Sequence, residues 1–267
     1  MKVRFSKMHG AGNDFVMIDD RDGTFPADAA HVAAIANRPD GVGCEGVILV
    51  RRSEREDFAM RFFNPDGSEA ELCGNGARCV AAFALAIGAA GSPRMRFETL
   101  AGVISAEVLA ENLVRIAMPT PKDLRADFVN SGVPHRIVPV DDLAAADVAG
   151  EGRRIRYSDA FAPAGTNVDF VRFTSAHSLD IRTYERGVEA ETFACGTGSV
   201  AAAVVGVAQH GLEFPVDVKT ACGHTLTIGG RWNGTAFSDV TLTGPVRHVF
   251  DGEIDLASLD KSEGNRS

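Results

Sequence analysis

Two cysteines stand in the same short pattern, nearly half a chain apart. The chain reads Cys73-Gly-Asn-Gly at the first place and Cys195-Gly-Thr-Gly at the second, and an Ala-rich stretch follows each. We expect each pattern to open a helix, where the first backbone N–H groups lack an intrahelical acceptor and the macrodipole adds partial positive charge. Glycine lets a ligand approach the backbone closely. Each helix start could therefore hold a carboxylate without help from Lys or Arg.

A thiol at a helix start can also exchange protons. The partial positive charge lowers a thiol pKa from about 8.5 toward neutrality. If the two patterns belong to similar halves related by a pseudo-twofold axis, the thiols of Cys73 and Cys195 face each other across one carboxylate. One thiolate then removes a proton from the carbon beside that carboxylate, and the other thiol returns a proton to the opposite face. The two motifs thus predict inversion at a stereocentre.

The other three cysteines, Cys44, Cys79 and Cys222, are expected to be small buried hydrophobic residues. An odd count of five cysteines, without a Cys-x-x-Cys pair, fits a reducing compartment and disfavours a structural zinc site. A disulfide between Cys73 and Cys195 is a further option, which in the cytosol would be an inactivating side reaction.

Two kinds of segment surround these motifs. Three Ala-rich segments are predicted to be helices, namely Ala27–Asn37, Asn75–Ala89 and Gly198–His210. Strands are predicted at Gly46–Val50, Phe58–Phe63, Arg94–Glu98, Leu113–Met118, His135–Val140, Asn167–Phe173, Leu179–Tyr184, Val216–Thr220, Thr225–Ile228 and Ala236–Thr243. Many strands with few helices indicate an α+β architecture rather than strict βαβ alternation.

The second and third helices are apolar nearly all round, so they must be buried, and strands could wrap each of them. The repeat at an offset of 122 residues continues beyond the cysteines, with a Pro, a Thr and a Gly after each helix. We therefore predict two similar domains related by a pseudo-twofold axis. Residues 1–118 carry Cys73, residues 119–243 carry Cys195, and residues 244–267 return to the first half.

Composition excludes several classes of protein. The chain has 267 residues, of which 45% are apolar and 24% charged, and a formal net charge of −9. These values are those of a globular protein and give no basic face for nucleic acid or an anionic membrane surface. No apolar run is long enough to span a bilayer, and the first ten residues contain no apolar signal region. We expect a cytoplasmic protein.

Six ordered motifs make the sequence resemble the diaminopimelate epimerases, which belong to the cofactor-independent amino-acid racemases. The motifs cover almost the whole length. They are Lys7-Met-His-Gly-Ala-Gly-Asn13-Asp-Phe, Phe63-Asn64-Pro-Asp-Gly-Ser, Cys73-Gly-Asn-Gly-Ala-Arg-Cys79, Gly165-Thr-Asn167-Val-Asp-Phe, Tyr184-Glu185-Arg186-Gly-Val-Glu-Ala-Glu-Thr-Phe-Ala-Cys195-Gly-Thr-Gly, and Thr243-Gly-Pro245.

The resemblance implies a reaction and a set of site residues. The reaction is the interconversion of LL- and meso-diaminopimelate, in lysine and peptidoglycan precursor synthesis. Cys73 and Cys195 match the acid/base pair. The matched groups that hold the reacting carboxylate are Gly74, Asn75, Gly196 and Thr197, with Asn13 nearby. Those that bind the distal end are Asn64, Asn167 and Arg186, and the supporting residues are Glu185 and His135.

The resemblance also implies that neither pyridoxal phosphate nor a metal is needed, that the protein is a homodimer, and that each domain wraps a strand barrel around a central helix. On residue type alone, Asn13, Asn64 and Asn167 could simply stabilise turns, where Asn is common for backbone reasons. Likewise, Arg186 and Glu185 could form a surface ion pair, and His135 could be a core histidine with its hydrogen bonds satisfied.

Two positions depart from the family pattern. Val133 stands before Pro134-His135 where Asn is frequent, and a valine side chain offers no hydrogen bond. Glu45 stands where Asp is usual, and Gly46 stands where some members of the family have a polar residue. Both departures bear on the substrate rather than on the thiol chemistry.

Other functions remain open from the sequence. One is racemisation of another amino acid, such as histidine or proline, although proline racemases usually carry His where this chain has Asn75. Another is a binding protein for amino acids without turnover. The last is a thiol redox protein that uses Cys73 and Cys195, which the missing Cys-x-x-Cys motif disfavours.

Overall fold

The computed structural model describes residues 1–192 and 194–259 of the chain. The chain divides into two compact units. The first comprises Met1–Ile116 together with the described residues from Val246 onward, and the second comprises Ala117–Pro245. The domain boundaries given above stay a prediction, and residues 260–267 of the predicted C-terminal segment lie outside the described part.

The N-terminal segment of the first unit contains two helices among eight strands. The helices are α1 (Ala29–Ala36) and α2 (Gly74–Ala86). The strands are β1 (Lys2–Gly10), β2 (Asn13–Asp19), β3 (Gly46–Arg51), β4 (Phe58–Phe63), β5 (Glu69–Ala70), β6 (Arg94–Thr99), β7 (Gly102–Ala110) and β8 (Leu113–Ala117).

The second unit has a similar content. Its helices are α3 (Val148–Arg156) and α4 (Gly196–Gln209), with a 3₁₀ turn at Asp159–Phe161. Its strands are β9 (Lys122–Arg125), β10 (Phe128–Asn130), β11 (Pro134–Pro139), β12 (Asn167–Ser175), β13 (Ser178–Glu185), β14 (Ala190–Thr192), β15 (Val216–Lys219) and β16 (Thr225–Trp232).

The last strand, β17 (Phe237–Asp255), begins in the second unit and ends in the first, before the short helix α5 (Leu256–Leu259). Residues 246–255 of β17 pair antiparallel with β1, from Gly10 opposite Val246 to Lys2 opposite Asp255. The chain's last described elements therefore complete the unit that its first strand begins.

The two units repeat one order of strand pairing. In the first unit, β2 runs parallel to β3 across α1, β3 pairs antiparallel with β4, and β4 pairs antiparallel with β5 and parallel with β6. In the second, β11 runs parallel to β12 across α3, β12 pairs antiparallel with β13, and β13 pairs antiparallel with β14 and parallel with β15. The α+β class is confirmed, and the internal repeat extends from the cysteine motifs to the whole topology.

One helix of each unit lies inside its strands. Helix α2 contacts β1, β2, β3, β4 and β7, and α4 contacts β10 to β13, β15 and β16. The residues from Asn75 to Ala81 and from Gly198 to Gly206 are all buried. Small side chains permit this close enclosure. A Cβ on Gly10 at the end of β1, for example, would lie 2.9 Å from the carbonyl oxygen of Asn75.

Among the described residues, no helix has both the length and the apolar character needed to cross a membrane.

Candidate active site

Both cysteines of the repeated pattern are the N-cap residues of the buried helices. Cys73 precedes α2 with φ −123° and ψ 121°, and Cys195 precedes α4 with φ −105° and ψ 113°. Extended backbone is typical of an N-cap, whose carbonyl accepts the first intrahelical bond. The N–H of Ala77 donates to Cys73 O at 2.7 Å, and that of Ser199 to Cys195 O at 3.0 Å. The prediction that each motif opens a buried helix is confirmed.

A chain of polar side chains lies at the start of α2. Arg78 Nη2 donates to Asn75 Oδ1 at 2.7 Å, Asn75 Nδ2 donates to Asn13 Oδ1, and Asn13 Nδ2 donates to Glu45 Oε2. A guanidinium only donates and a carboxylate only accepts. The two ends therefore fix the orientation of both amides between them, and Asn13 lies beside Asn75 as predicted.

Arg78 is completely buried, although it belongs to an otherwise apolar helix. Its side chain runs back along α2, as long helical side chains do, and Nη1 donates to Gly74 O at 3.3 Å. Burial lowers the pKa of this guanidinium. Its Nε has no hydrogen-bond partner among the described residues. The first turn of α2 thus contains a side-chain cation in addition to the helix dipole.

A tight turn aims Asn13 at this helix start. Ala11 and Gly12 join β1 to β2 with φ values of 50° and 97°. Positive φ at both central residues is the geometry of a two-residue hairpin that follows the twist of its strands. Asn13 is consequently the first residue of β2 and pairs with Gly10.

Asn64 also belongs to the first unit. It lies in the turn between β4 and β5, and its Nδ2 donates to Ser68 Oγ at 3.0 Å. Its N–H donates to Ser68 O at 2.9 Å. The turn role that residue type alone indicates is therefore observed, and the predicted role in binding the distal end stays a prediction.

The thiol of Cys195 has two polar neighbours on its own helix. Its Sγ accepts from the N–H of Gly198 at 3.4 Å and lies 3.4 Å from Thr197 Oγ1. The hydroxyl of Thr197 also lies 3.0 Å from His135 Nε2. His135 on β11 is thus joined to Cys195 through a single hydroxyl group.

His135 and Asp169 form a buried pair. His135 Nδ1 lies 2.7 Å from Asp169 Oδ2, and both side chains are 0% exposed. Thr183 Oγ1 donates to Asp169 Oδ1 at 2.7 Å. A Cβ on Gly198 would lie 2.5 Å from Asp169 Oδ1, so only glycine fits there. The predicted supporting residue His135 is buried with its hydrogen bonds satisfied, and it also adjoins a helix start.

Asn167 and Arg186 meet in the same unit. The N–H of Arg186 donates to Asn167 Oδ1 at 2.8 Å, which turns Asn167 Nδ2 toward Pro134 O at 3.0 Å and His135 Nε2 at 3.5 Å. Within the described chain, Arg186 forms no ion pair with Glu185; its Nη1 donates to Ala164 O at 3.4 Å. The surface ion pair considered above is therefore not observed.

The electrostatics of Cys195 contradict the prediction that its helix start lowers the thiol pKa. Burial raises the pKa of Cys195, and the carboxylates of Glu185 and Asp169 raise it further, which outweighs Thr197 and the Gly198 N–H. Burial also raises the pKa of Glu185. The largest cause is the removal of the thiolate from water, and nearby negative charge disfavours the thiolate further.

The remaining cysteines differ from one another. Cys44 and Cys79 are buried, as predicted, and burial raises both thiol pKa values, that of Cys79 to about 12. Cys222 is only half-buried and lies 3.2 Å from Thr220 Oγ1, so its predicted burial is wrong. Within residues 1–192 and 194–259, no group of three or more His, Cys, Asp or Glu is arranged to hold a metal ion.

Two charged residues of these sites, Arg78 and Asp169, lie inside the sequence motifs without a role that the motifs imply. Arg78 is the one charged residue in a predicted apolar helix, and Asp169 lies between Val168 and Phe170 in a predicted strand. A charge inside an apolar element is costly unless it is paired, so each was detectable as a functional candidate.

Comparison with known proteins places the chain first in a fold and then in a family. Its fold is shared with a phenazine biosynthesis protein of the PhzF family from Bacillus anthracis. The TM-score is 0.73 at 16% identity, over 96% of this chain and 99% of that chain. A probable proline racemase from Agrobacterium radiobacter K84 has a TM-score of 0.66 at 17% identity, over 95% and 92%. The chain therefore has the α+β fold of these two proteins.

The family follows from sequence. The family model for diaminopimelate epimerase matches residues 5–122 and 128–249. The diaminopimelate epimerase of Aquifex aeolicus is 42% identical to this chain over an alignment of 283 positions. The alignment covers 97% of this chain and 100% of that protein. This chain belongs to the diaminopimelate epimerase family, which confirms the resemblance seen in its motifs.

Proposed function

We propose that this protein is an isomerase that interconverts LL- and meso-diaminopimelate by moving the proton on one α carbon. The observation that carries the proposal is the pair of N-cap cysteines, Cys73 and Cys195, each at the start of a buried helix in a chain of this family. A fold shared with a probable proline racemase suits the same type of reaction.

Each residue has a stated part in the proposed reaction. One of the two cysteines, as thiolate, removes the α proton, and the other, as thiol, delivers a proton to the opposite face of the carbon. The backbone N–H groups at Gly74, Asn75, Gly196 and Thr197 bind the α carboxylate, with Asn13 beside them. They stabilise the negative charge that develops on that carboxylate as the proton leaves.

The distal amino-acid end is assigned to Asn64, Asn167 and Arg186, with Glu185 and His135 in supporting roles. Val133 offers no side-chain hydrogen bond where Asn is frequent, so we assign that contact to another group of the protein or to water. The family match favours diaminopimelate over histidine, proline or another single amino acid.

The proposed cellular context is lysine and peptidoglycan precursor synthesis in the cytoplasm, with the chain as a homodimer. Five cysteines and a net charge of −9 suit a reducing compartment and a partner that is neither nucleic acid nor membrane. Sedimentation equilibrium tests the dimer: a mass near twice 28.2 kDa is expected, and a single-chain mass across the concentration range would reject it.

Proton NMR of LL-diaminopimelate in heavy water tests the reaction. With reduced protein, the α-proton signal should fall while meso product accumulates, because the returned proton comes from solvent. The same assay with single amino acids is the specificity control. No exchange of diaminopimelate, together with exchange of one single amino acid, would assign the protein a different racemase substrate.

The two-base chemistry makes a separate prediction. Cys73→Ala and Cys195→Ala should each abolish epimerisation while the thermal unfolding temperature stays close to that of the wild type. Full turnover by either variant would exclude two-base catalysis. Binding of diaminopimelate by the wild type without any exchange would favour a binding protein, and thiol–disulfide exchange with a partner would favour a redox protein.

A further inference from the structure

Four side chains of the second unit form one continuous hydrogen-bonded line. The line runs from Cys195 Sγ to Thr197 Oγ1 at 3.4 Å, from Thr197 Oγ1 to His135 Nε2 at 3.0 Å, and from His135 Nδ1 to Asp169 Oδ2 at 2.7 Å. It joins the α4 helix start to β11 and β12 without an intervening gap.

We propose that Thr197 relays a proton between Cys195 and the buried His135–Asp169 pair. Thr197 is the relay residue, since its hydroxyl touches the reacting thiol, and Asp169 is a positioning residue that acts through His135. The proposal rests on the proposed function only for the use of Cys195 in catalysis.

The donors and acceptors around His135 define its starting state. The Asp169 carboxylate accepts from Thr183 and, at its other oxygen, from His135 Nδ1–H. Asn167 Nδ2, oriented by the N–H of Arg186, faces His135 Nε2 at 3.5 Å. Nε2 therefore presents a lone pair to the hydroxyl of Thr197, whose oxygen can then accept from the thiol of Cys195.

The proton transfer conserves atoms and charge. The S–H bond of Cys195 and the O–H bond of Thr197 break, while a new O–H bond forms on Thr197 and an N–H bond forms on His135 Nε2. The products are a thiolate and an imidazolium, and Thr197 is chemically unchanged. The hydroxyl now donates toward the sulfur and accepts from Nε2–H, so its direction reverses with the proton.

Two carboxylates near the thiol explain why Cys195 needs such a route. Asp169 on β12 and Glu185 on β13 both disfavour an isolated thiolate at Cys195. A proton passed to His135 stays within the same buried cluster and lies beside the carboxylate of Asp169. The imidazolium formed there is stabilised by that carboxylate at 2.7 Å.

Alkylation of Cys195 by iodoacetamide, without substrate, tests the relay. The Cys195 peptide is quantified by mass spectrometry from pH 6 to pH 9. If the thiol passes its proton to His135, a fraction of Cys195 is thiolate across this whole range, so the wild-type rate should show a pH-independent plateau. An unassisted thiol instead gains rate about tenfold per pH unit below its pKa.

Matched variants separate the relay from structural effects. Thr197→Val removes the hydroxyl at nearly constant shape and should abolish the plateau, with at least about a tenfold lower rate at pH 7 than Thr197→Ser. Thr197→Ser keeps the hydroxyl and should keep a plateau. Asp169→Asn should abolish it as well, because the amide no longer holds His135 in the Nδ1–H form.

The outcomes are distinct. A plateau in Thr197→Val equal to that in Thr197→Ser, or a wild-type rate that rises tenfold per pH unit throughout, would overturn the proposal. Loss of the plateau in Glu185→Gln but not in Thr197→Val would also overturn it, with Glu185 as the acceptor. Wild-type turnover of diaminopimelate is measured on the same sample. A plateau without turnover rejects the proposed function alone, and turnover without a plateau rejects the relay alone.

Discussion

Individual charged residues set the electrostatic surroundings of each helix start. In the first unit, the fully buried Arg78 adds a cation beneath the first turn of α2. In the second, the buried Asp169 and the half-buried Glu185 add negative charge near Cys195. Two motifs that read alike in the sequence therefore create opposite electrostatic surroundings.

Glu45 gives the first prediction at the scale of a residue. Its carboxylate ends the chain that orients Asn13 and Asn75. In Glu45→Gln the amide can donate as well as accept, so Asn13 is free to turn over. Loss of a hydrogen bond to a charged group costs about 1.5–3 kcal/mol, so kcat/KM for LL-diaminopimelate should fall at least about tenfold.

Glu45→Asp is the matched control. It keeps a carboxylate, which can only accept a hydrogen bond from Asn13, and it matches the family's usual residue. Steady-state kinetics should show a smaller loss for Glu45→Asp than for Glu45→Gln. Equal kcat/KM values for the two variants would show that the direction of the chain is unimportant.

Glu185 gives a prediction about pH and stability. Burial raises its pKa above 4.5, the ordinary value, so the native state binds this proton more tightly than the unfolded chain does. The protonated carboxyl contributes stability that is fully present below the unfolded pKa and is lost as pH rises through the raised folded value. Glu185→Gln removes this dependence.

Urea unfolding between pH 4 and pH 7 measures the effect. The free energy of unfolding of Glu185→Gln, relative to the wild type, should increase with pH across the window that begins near pH 4.5. A constant difference between the two proteins over this range would contradict a raised folded pKa.

At the scale of elements, the two buried helices are the most predictable part of the fold. A segment such as Val80-Ala-Ala-Phe-Ala-Leu-Ala-Ile has no polar face, and such a helix is stable only inside a core. The apolar strand β3 was predicted on the same grounds, and its residues from Gly46 to Val50 are all buried.

Other elements were not predicted because their patterns are weaker. Strand β1 alternates charged outward residues with Val3 and Phe5. One of its two partner strands is β17, which lies some 250 residues away in the sequence, as Lys2 opposite Asp255 shows. Helix α3 carries Gly150, Gly152 and three arginines, so it has little apolar periodicity. Helix α1 is shorter than predicted, because Asp28 caps it by accepting from the N–H of His31.

The sequence predicts which residues belong to the site, but it does not predict which of them are hydrogen-bonded to each other. Motif spacing identified Cys73 and Cys195, and the structure confirms that both cap their helices. No spacing rule joins Thr197 to His135, or His135 to Asp169. The first contact depends on the packing of α4 against β11, and the second on the parallel pairing of β11 with β12. Long-range register, rather than local sequence, sets the hydrogen-bonded line.

Helix α2 gives a prediction at this scale. Ala81 is 0% exposed inside the strands, whereas Ala86 is exposed at the end of the same helix. Ala81→Leu overpacks the enclosure and should lower the free energy of unfolding by about 1–3 kcal/mol. Ala86→Leu should change it by less than about 0.5 kcal/mol, and equal effects in urea unfolding would show that α2 is not tightly enclosed.

At the scale of the whole molecule, the first unit is built from the first strand of the chain and from its last described elements. The N-terminal ammonium lies 2.9 Å from Asp255 Oδ1, and the N–H of Leu256 donates to Met1 O at 2.9 Å. Leu256 is buried in the same apolar cluster as Val3 and Phe5. The described chain thus closes back on its own beginning.

Ending the chain after Pro245 tests this closure. The truncation removes the antiparallel partner of β1, so the shortened protein should lose its cooperative unfolding transition and its near-ultraviolet circular dichroism. The control is the full chain with Val249→Ser and Phe250→Ser, two exposed apolar residues of β17 whose replacement leaves the backbone pairing intact. A cooperative transition in the truncated protein would contradict the closure.

The same pairing has a consequence for synthesis on the ribosome. The second unit is one continuous stretch, so all of its strands up to Pro245 have been translated before the first unit is complete. The strand β1 emerges before the second unit, yet its partner residues in β17 emerge after the whole of that unit. We therefore expect the half that is made first to finish folding last, and during that interval the edge of β1 is exposed to chaperones.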